Sequence, residues 1–292
     1  MSRIERVAFL GMGIMGSRMA ANVALGEFEL RVWNRTRERA ERVAEATGAG
    51  LADTPADAAR GADAVITMVV DSPEVEAVLF GDKGAAAALE PGALVIDMST
   101  IAPKAVESIG DRLAEGGISF IDAPVSGSSP KAEDGTLTIM VGASEEDYER
   151  ALPLLESMGE LIVHCGPRSH GQMVKLLNNT LAATNAAVLA EAISVARKAE
   201  LDMDALVRVV AASSGNSTML QLKARPMIEH EFAPLFKLDH MLKDVRHTLN
   251  AAHELGAETP VAEAAKALYE AASGMGKGDD DFAAVIEAVE PQ

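Results

Sequence analysis

A doubly wound α/β domain followed by an all-helical domain is the fold class that three observations predict. Short apolar runs alternate with helix-patterned segments over the first half of the chain, the signature of a parallel sheet layered with helices. Strand signals end near residue 164, and from Ser169 onward helical periodicity with few breakers takes over. The first apolar run breaks directly into Gly11-Met12-Gly13-Ile14-Met15-Gly16, a G-x-G-x-x-G placed between a strand and a helix.

The elements follow in order. Residues 7–10 read as a strand and 17–25 as the helix behind the glycines, then 30–34 as a strand and 37–47 as a charged helix. A third strand over 64–70 precedes a short helix over 74–79, and a fourth over 93–98 precedes a helix over 104–116. Residues 119–122, 136–141 and 161–164 complete the sheet. Such alternation implies parallel strands, right-handed crossovers and helices on both faces. The second half opens with a long helix over 174–199, well beyond ordinary globular length. Further helices are expected over 203–212, 236–255, 261–272 and 281–289. The domains are therefore 1–164 and 165–292, joined by the long helix. The acidic run Asp279-Asp280-Asp281 reads as a solvated helix start, where the dipole favours carboxylates.

Composition narrows the class. Hydrophobic residues make up 48 % and aromatics 3 %, so the core is built from aliphatic side chains, Ala and 14 Met. Met in this setting fills space. A net charge of −18 argues against a nucleic-acid partner, because phosphate binding needs clustered Lys and Arg. Cys165 is the one cysteine, which excludes an internal disulfide and a thiolate cluster and reads as an inert thiol. The first residues lack the apolar region of a signal peptide, and no apolar stretch reaches membrane-spanning length. The expectation is a cytoplasmic protein with no membrane partner.

The glycine run carries a dinucleotide fingerprint of the Rossmann type. Gly11 allows a tight turn, Gly13 lets backbone approach a pyrophosphate, and Gly16 lets helix pack on sheet. Helix amides and dipole then favour an anion at the Gly13-Ile14-Met15 end. At the end of the second strand, an Asp or Glu would hold the adenosine ribose of NAD. Here the chain reads Asn34-Arg35-Thr36, followed by Arg37 and Arg39. Without a carboxylate, and with a planar Arg donor available for a 2′-phosphate, NADP is expected over NAD.

Three further segments bear chemistry. Asp122-Ala-Pro-Val-Ser126-Gly127-Ser-Ser-Pro130 reads as a turn beyond a strand, on the ligand side of an open sheet. There, Ser126 and the amides around Gly127 suit a substrate carboxylate. Lys175 and Asn179 lie four residues apart on one face of the long helix, the lysine flanked by apolar residues. A lysine so placed must send its ammonium into a polar cleft or snorkel to solvent. The third is Asp239 through Asp244, where Lys243 and Asp244 face a cleft or Asp239 and Lys243 form a surface ion pair. The six histidines show no metalloenzyme spacing, and no metal is expected.

Together these segments resemble the β-hydroxyacid dehydrogenases, including 3-hydroxyisobutyrate dehydrogenases, tartronate semialdehyde reductases and glyoxylate/succinic semialdehyde reductases. The matching residues are Gly11–Gly16 with Met19-Ala-Ala-Asn22, Asp97-Met-Ser-Thr100, Asp122–Gly127, Gly135-Thr-Leu137, Gly171 to Asn179, and Lys243-Asp244. They span nearly the whole chain in the expected order. The resemblance implies hydride transfer between NADPH and a small aldehyde or keto acid, with Lys175 as general acid or, in reverse, base. It implies that Asn179 supports substrate and lysine, and that Ser126 and Gly127 bind the carboxylate. It further places Thr100 and Lys243 near the cofactor, with Lys243 and Asp244 closing the site, and implies homodimers or homotetramers through the helical domain.

Ser128 to Gly135 follows the glyoxylate and succinic semialdehyde reductase pattern, with proline and lysine exchanged in order. Ser213 to Ser217, at the expected edge of the acyl pocket, matches neither subgroup. Two alternatives stand beside the aldehyde-acid reading. Imine reductases on a similar scaffold typically carry another residue at the Lys175 position. Non-catalytic nucleotide-binding relatives lose that lysine and carry basic segments absent from this chain.

Overall fold

The computed structural model describes residues 3–290 of the 292-residue chain. Two compact units divide between Lys175 and Leu176. The division falls later than residue 164 because the start of the long helix is bonded to the sheet. The amides of Ser169 and Gln172 both donate to the Asp122 carboxylate.

The first unit runs β1 (Arg6–Leu10), α1 (Ile14–Leu25), β2 (Glu29–Trp33), α2 (Arg37–Thr47), β3 (Gly50–Leu51), α3 (Pro55–Ala59), β4 (Ala64–Thr67) and α4 (Ser72–Phe80). It continues with β5 (Leu94–Asp97), α5 (Pro103–Ala114), β6 (Ser119–Asp122), β7 (Val125–Ser126), α6 (Ser128–Asp134), β8 (Leu137–Gly142), α7 (Glu145–Leu155) and β9 (Gly159–Gly166). The sheet order is β3-β2-β1-β4-β5-β6-β8-β7, with β9 on β8. The six strands from β3 to β6 in that order are parallel and have the doubly wound arrangement. Both faces are covered, so the strands read as apolar runs. Val7, Phe9, Ile66 and Ile96 pack with Met19 and Val23 of α1. Ala8, Leu10, Val65 and Val95 pack on the other face with Leu79 and Ile109.

Several expectations need correction. The sheet is not parallel throughout, since β8 runs antiparallel to β6 and β7. The chain returns there after a short excursion and makes no full helical crossover, which a parallel pairing would require. The segment 122–130, expected as a turn, runs from the end of β6 through β7 into the start of α6. The elements β3, α3 and α7 lack an expected counterpart. Of these, α7 has a readable start, because Ser144 accepts a hydrogen bond from the Asp147 amide as its N-cap.

The second unit holds most of α8 (His170–Lys198), then α9 (Met203–Ala211), α10 (Thr218–Glu229), α11 (Leu238–Glu254), α12 (Pro260–Ala272), a 3-10 turn over Phe282–Val285 and α13 (Ile286–Val289). The helix expected over 281–289 is thus two short pieces, and α10 had no expected counterpart. Small residues on α8, Ala183, Ala186 and Ala190, let Leu242, Val245 and Tyr269 pack close. The Tyr269 hydroxyl donates to the Ala183 carbonyl at 3.1 Å. Among the described residues no helix is long and apolar enough to cross a membrane.

The acidic run departs from expectation at one residue. Asp279 pairs with Lys237 at 2.7 Å and Asp280 with Lys277 at 3.6 Å, both in contact with solvent. Asp281 is only 2 % exposed. It accepts from Lys223 Nζ at 2.7 Å and from the amides of Leu235, Phe236 and Ala283. Desolvating that carboxylate is tolerable because four donors surround it. Lys223→Met would strand the charge, and the expected loss is about 3–5 kcal/mol. Urea denaturation of the variant against the parent chain measures it.

Candidate active site

The glycine loop joins β1 to α1 and sits beside the end of β4. The Gly11 amide donates to the Trp33 carbonyl at 2.9 Å. Gly11 has φ +112, and a Cβ there would lie 2.2 Å from the Met68 carbonyl oxygen. A Cβ on Gly16 would lie 1.9 Å from the Gly11 carbonyl oxygen. These two glycines are demanded by the protein itself. Gly13 is different: it adopts an ordinary φ of −75 as the N-cap of α1, and a Cβ there would meet nothing within 4 Å. The open space over Gly13, beside the free amides of a helix start, fits the approach of a pyrophosphate.

Met12 is buried and its amide donates to Asn34 Oδ1 at 2.9 Å. Asn34 Nδ2 donates to the Thr36 carbonyl at 2.8 Å. Asn34 therefore ties the glycine loop to the end of β2 and shapes the turn that carries Arg35. Ile14, Arg35, Thr36 and Arg39 are exposed, and Met15 is half-buried. Arg37, exposed like Arg35 and Arg39, pairs with Glu41 at 2.7 Å and with Asp53, which largely balances its charge.

A buried polar layer crosses the C-terminal ends of the central strands. Thr67 Oγ1 donates to Asp97 Oδ1 at 2.7 Å, and the Val69 amide donates to Ser99 Oγ at 3.0 Å. Asp122, at the end of β6, accepts from the amides of Ser169 and Gln172 at 2.7 Å each. A Cβ on Gly142 or Gly171 would fall within 3 Å of that carboxylate, so both positions need glycine. Burial and the nearby Asp97 charge push the Asp122 pKa up to about 7, while the two amides pull it down.

From this layer α8 carries Lys175, which is buried at 7 % exposure, three residues beyond Gln172. Ser126 lies at the end of β7, half-buried, with Gly127 at φ +138 beside it. Thr100 follows β5, half-buried. In the helical unit the structure brings together Asn179, Lys243 and Asp244. Asn179 Nδ2 donates to Asp244 Oδ2 at 2.6 Å, and Lys243 Nζ lies 3.0 Å from Asp244 Oδ1. Asp239 accepts from Ser273 Oγ at 2.6 Å. Burial pushes the Cys165 thiol up, opposite to the needs of a nucleophile.

Residues 6–166 match the family model described as the NAD binding domain of 6-phosphogluconate dehydrogenase. Residues 169–289 match that described as the NAD-binding domain of NADP-dependent 3-hydroxyisobutyrate dehydrogenase. Across 97 % of its length the chain is 35 % identical to glyoxylate/succinic semialdehyde reductase 2 of Arabidopsis thaliana, covering 79 % of that protein. It is also 35 % identical to L-threonate dehydrogenase of Cupriavidus necator, covering 97 % and 95 % of the two chains. The solved Mycobacterium tuberculosis 3-hydroxyisobutyrate dehydrogenase with L-serine superposes with a TM-score of 0.90 at 31 % identity, covering 98 % and 99 %. The chain belongs to the β-hydroxyacid dehydrogenase family. It is an NAD(P)-binding oxidoreductase of that family.

For this dehydrogenase, sequence reasoning passed over Gln172 and the capping role of Asp122. The signal for the second lay in Gly142 and Gly171, whose spacing from Asp122 has no meaning until the chain is folded. For the glycine loop, the two kinds of glycine separate by experiment. Gly11→Ala should lose at least about 1–3 kcal/mol of stability from backbone strain alone, before the clash with Met68. Gly13→Ala should melt like the parent but bind NAD(P)H at least about tenfold more weakly, about 1.4 kcal/mol. Thermal melts and NAD(P)H fluorescence titration read the two effects.

Proposed function

We propose that the protein is an NADP-dependent reductase of a small aldehyde or keto acid, reversible toward the hydroxy acid, with Lys175 as general acid and base. The observation that carries this reading is Lys175 itself: a buried ammonium, on the helix that Asp122 and Gln172 tie to the end of the sheet. A lysine that costs desolvation is retained where its charge and proton are used. Bound NADPH supplies the hydride that reaches the carbonyl carbon. Lys175 Nζ gives its proton to the carbonyl oxygen as alkoxide charge develops, and takes one back in oxidation. Ser126 Oγ and the Gly127 amide hold the substrate carboxylate. Asn179, its side chain aimed by Asp244, orients the substrate, while Thr100 and Lys243 serve the cofactor.

The adenosine end of the cofactor is assigned to Asn34, Arg35 and Thr36. Exposed Arg35 offers two parallel donors to a 2′-phosphate, and no carboxylate at the end of β2 repels it. The relatives named for semialdehyde reduction and threonate oxidation support a small carboxylate-bearing substrate. A homodimer or homotetramer completes the reading. Leu181, Val188 and Val195 are 65 %, 62 % and 67 % exposed on α8 and repeat every seventh residue, which keeps them on one stripe. The amphipathic α9 has no fully buried residue. Isolated apolar surface of this kind is a mark of subunit contact.

The deciding assay is NADPH oxidation against glyoxylate, succinic semialdehyde, tartronate semialdehyde and methylmalonate semialdehyde, with NADH as control. Turnover of one of these acids is expected, and Lys175→Ala should abolish it while NADPH still binds. Silence across the panel with NADPH bound would overturn the aldehyde-acid reading and favour imines or a non-catalytic role. Arg35→Ala should raise KM for NADPH about tenfold or more, the loss of a charge-assisted hydrogen bond of about 1.5–3 kcal/mol, and leave NADH untouched. A higher kcat/KM with NADH in the parent chain would overturn the NADP assignment. For assembly, Leu181→Glu with Val188→Glu should lower the mass found by light scattering to that of one chain.

A further inference from the structure

We propose that Gln172 is a positioning residue that locks the Thr100 loop to the Lys175 helix, so that cofactor contact and proton donor are set by one side chain. The geometry is specific. Gln172 is fully buried, and its Nε2 donates to the Ser99 carbonyl at 2.7 Å while its Oε1 accepts from the Ile101 amide at 3.2 Å. The carboxamide therefore grips the backbone on both sides of Thr100, as a neighbouring strand would. Its own amide donates to Asp122 Oδ2 at 2.7 Å. The residue thus joins the loop after β5, the end of β6 and the first turn of α8.

The same loop is also bonded toward the sheet and α4, the Ala102 amide donating to Ser72 Oγ at 3.2 Å. The Ser99 amide donates to Asp97 Oδ1 at 3.3 Å, and Ser99 Oγ accepts from the Val69 amide at 3.0 Å. These bonds fix Ser99 to the end of β5 and the loop after β4. Gln172 links the backbone on both sides of Thr100 to α8, and Lys175 lies three residues along that helix, almost one full turn from Gln172. An error of about 1 Å in either group costs a reaction that depends on alignment dearly. Backbone bonds within a helix cannot supply that alignment, because they do not sense where the β5 loop sits. A glutamine is suited to the task, since its carboxamide presents a donating NH2 beside an accepting oxygen, matching the Ser99 carbonyl and the Ile101 amide on either side of Thr100.

This inference rests on the reading that Thr100 serves the cofactor and Lys175 the proton. It is tested with Gln172→Met, which keeps the volume and the backbone bond to Asp122 and removes both side-chain bonds, in a cycle with Thr100→Ala. NADPH dissociation constants from fluorescence titration, kcat on the best aldehyde acid, and hydrogen exchange at the Ile101 amide are the readouts. Gln172→Met is expected to weaken NADPH binding about fivefold, lower kcat about tenfold and speed Ile101 exchange at least tenfold. In the Thr100→Ala background its effect on NADPH binding should shrink to less than twofold, because contacting residues couple. Unchanged binding and kcat in Gln172→Met, or equal losses in both backgrounds, would overturn the inference and leave the proposed function standing. If the parent chain binds NADPH but reduces no aldehyde acid, the proposed function fails, while the cycle in NADPH binding still decides the coupling. Failure of the parent chain to bind NADPH overturns both. Should Gln172→Met not fold, Gln172→Asn carries the same test, since its shorter side chain cannot reach both Ser99 and Ile101.

Discussion

Asp122 must satisfy two amides at the start of α8 where no solvent reaches, and much of the molecule is arranged around that demand. The carboxylate closes the end of β6 against the helix, accepting from Ser169 and Gln172 at 2.7 Å. Ser169 takes φ +74 to bring its amide into place. Gly142 and Gly171 forgo side chains so that the chain can crowd around the two oxygens. Each unpaired buried donor here would cost about 1–3 kcal/mol, so the contact is retained as a unit or lost as one. It is also the reason that the first compact unit runs on to Lys175: the first turn of α8 is bonded to that unit's own sheet.

The same contact sets the position of Lys175. A helix anchored at its first turn presents its next turn at a defined height above the sheet ends, and Lys175 occupies that turn. The lysine is only 7 % exposed, a burial that costs free energy unless its polar end is paired. At the C-terminal ends of the strands the sheet carries a layer of short side chains, Thr67, Asp97 and Ser99, joined by hydrogen bonds that leave little freedom of position. A network of this kind rigidifies as a whole, because each member polarises and orients the next. In the helical unit another buried carboxylate does comparable work, with Asp244 orienting Asn179 and pairing with Lys243. Asp281 is a further one, binding Lys223 and three amides to fix the chain before α11. In a chain of net charge −18, the acidic residues that matter most are those drawn out of solvent.

Legibility in the sequence tracked locality. The strand-glycine-helix order around Gly11 to Gly16 depends on neighbours in the chain, and the structure forms it there. The charged helix Arg37–Thr47 and the strand Ser119–Asp122 agree with the sequence reading to the residue. The segment beyond Ser126 was harder, because Ser128-Ser129-Pro130 suits a turn as well as the first turn of a helix, and the helix forms by packing on α1. Asp281 was misread for a similar reason. Three consecutive aspartates have the same local preference, and only Lys223, 58 residues away, selects the one that is buried. The pairing of Arg37 with Asp53, on a separate stretch of chain, was likewise out of reach of a local reading.

By itself the sequence determined the fold class, the longer strands and helices, the family and the residue types of the candidate site. These follow from periodicity, from glycines whose steric demands are set by adjacent backbone, and from motifs that keep their spacing. Only the tertiary structure decided that Gly13 faces open space while Gly11 and Gly16 face backbone, that Asn34 is tied to the glycine loop, and that Gln172 spans Thr100. Those assignments depend on which atoms meet across distances of tens of residues. Hydrogen bonds and excluded volume act over a few ångströms in space, with no regard to separation along the chain.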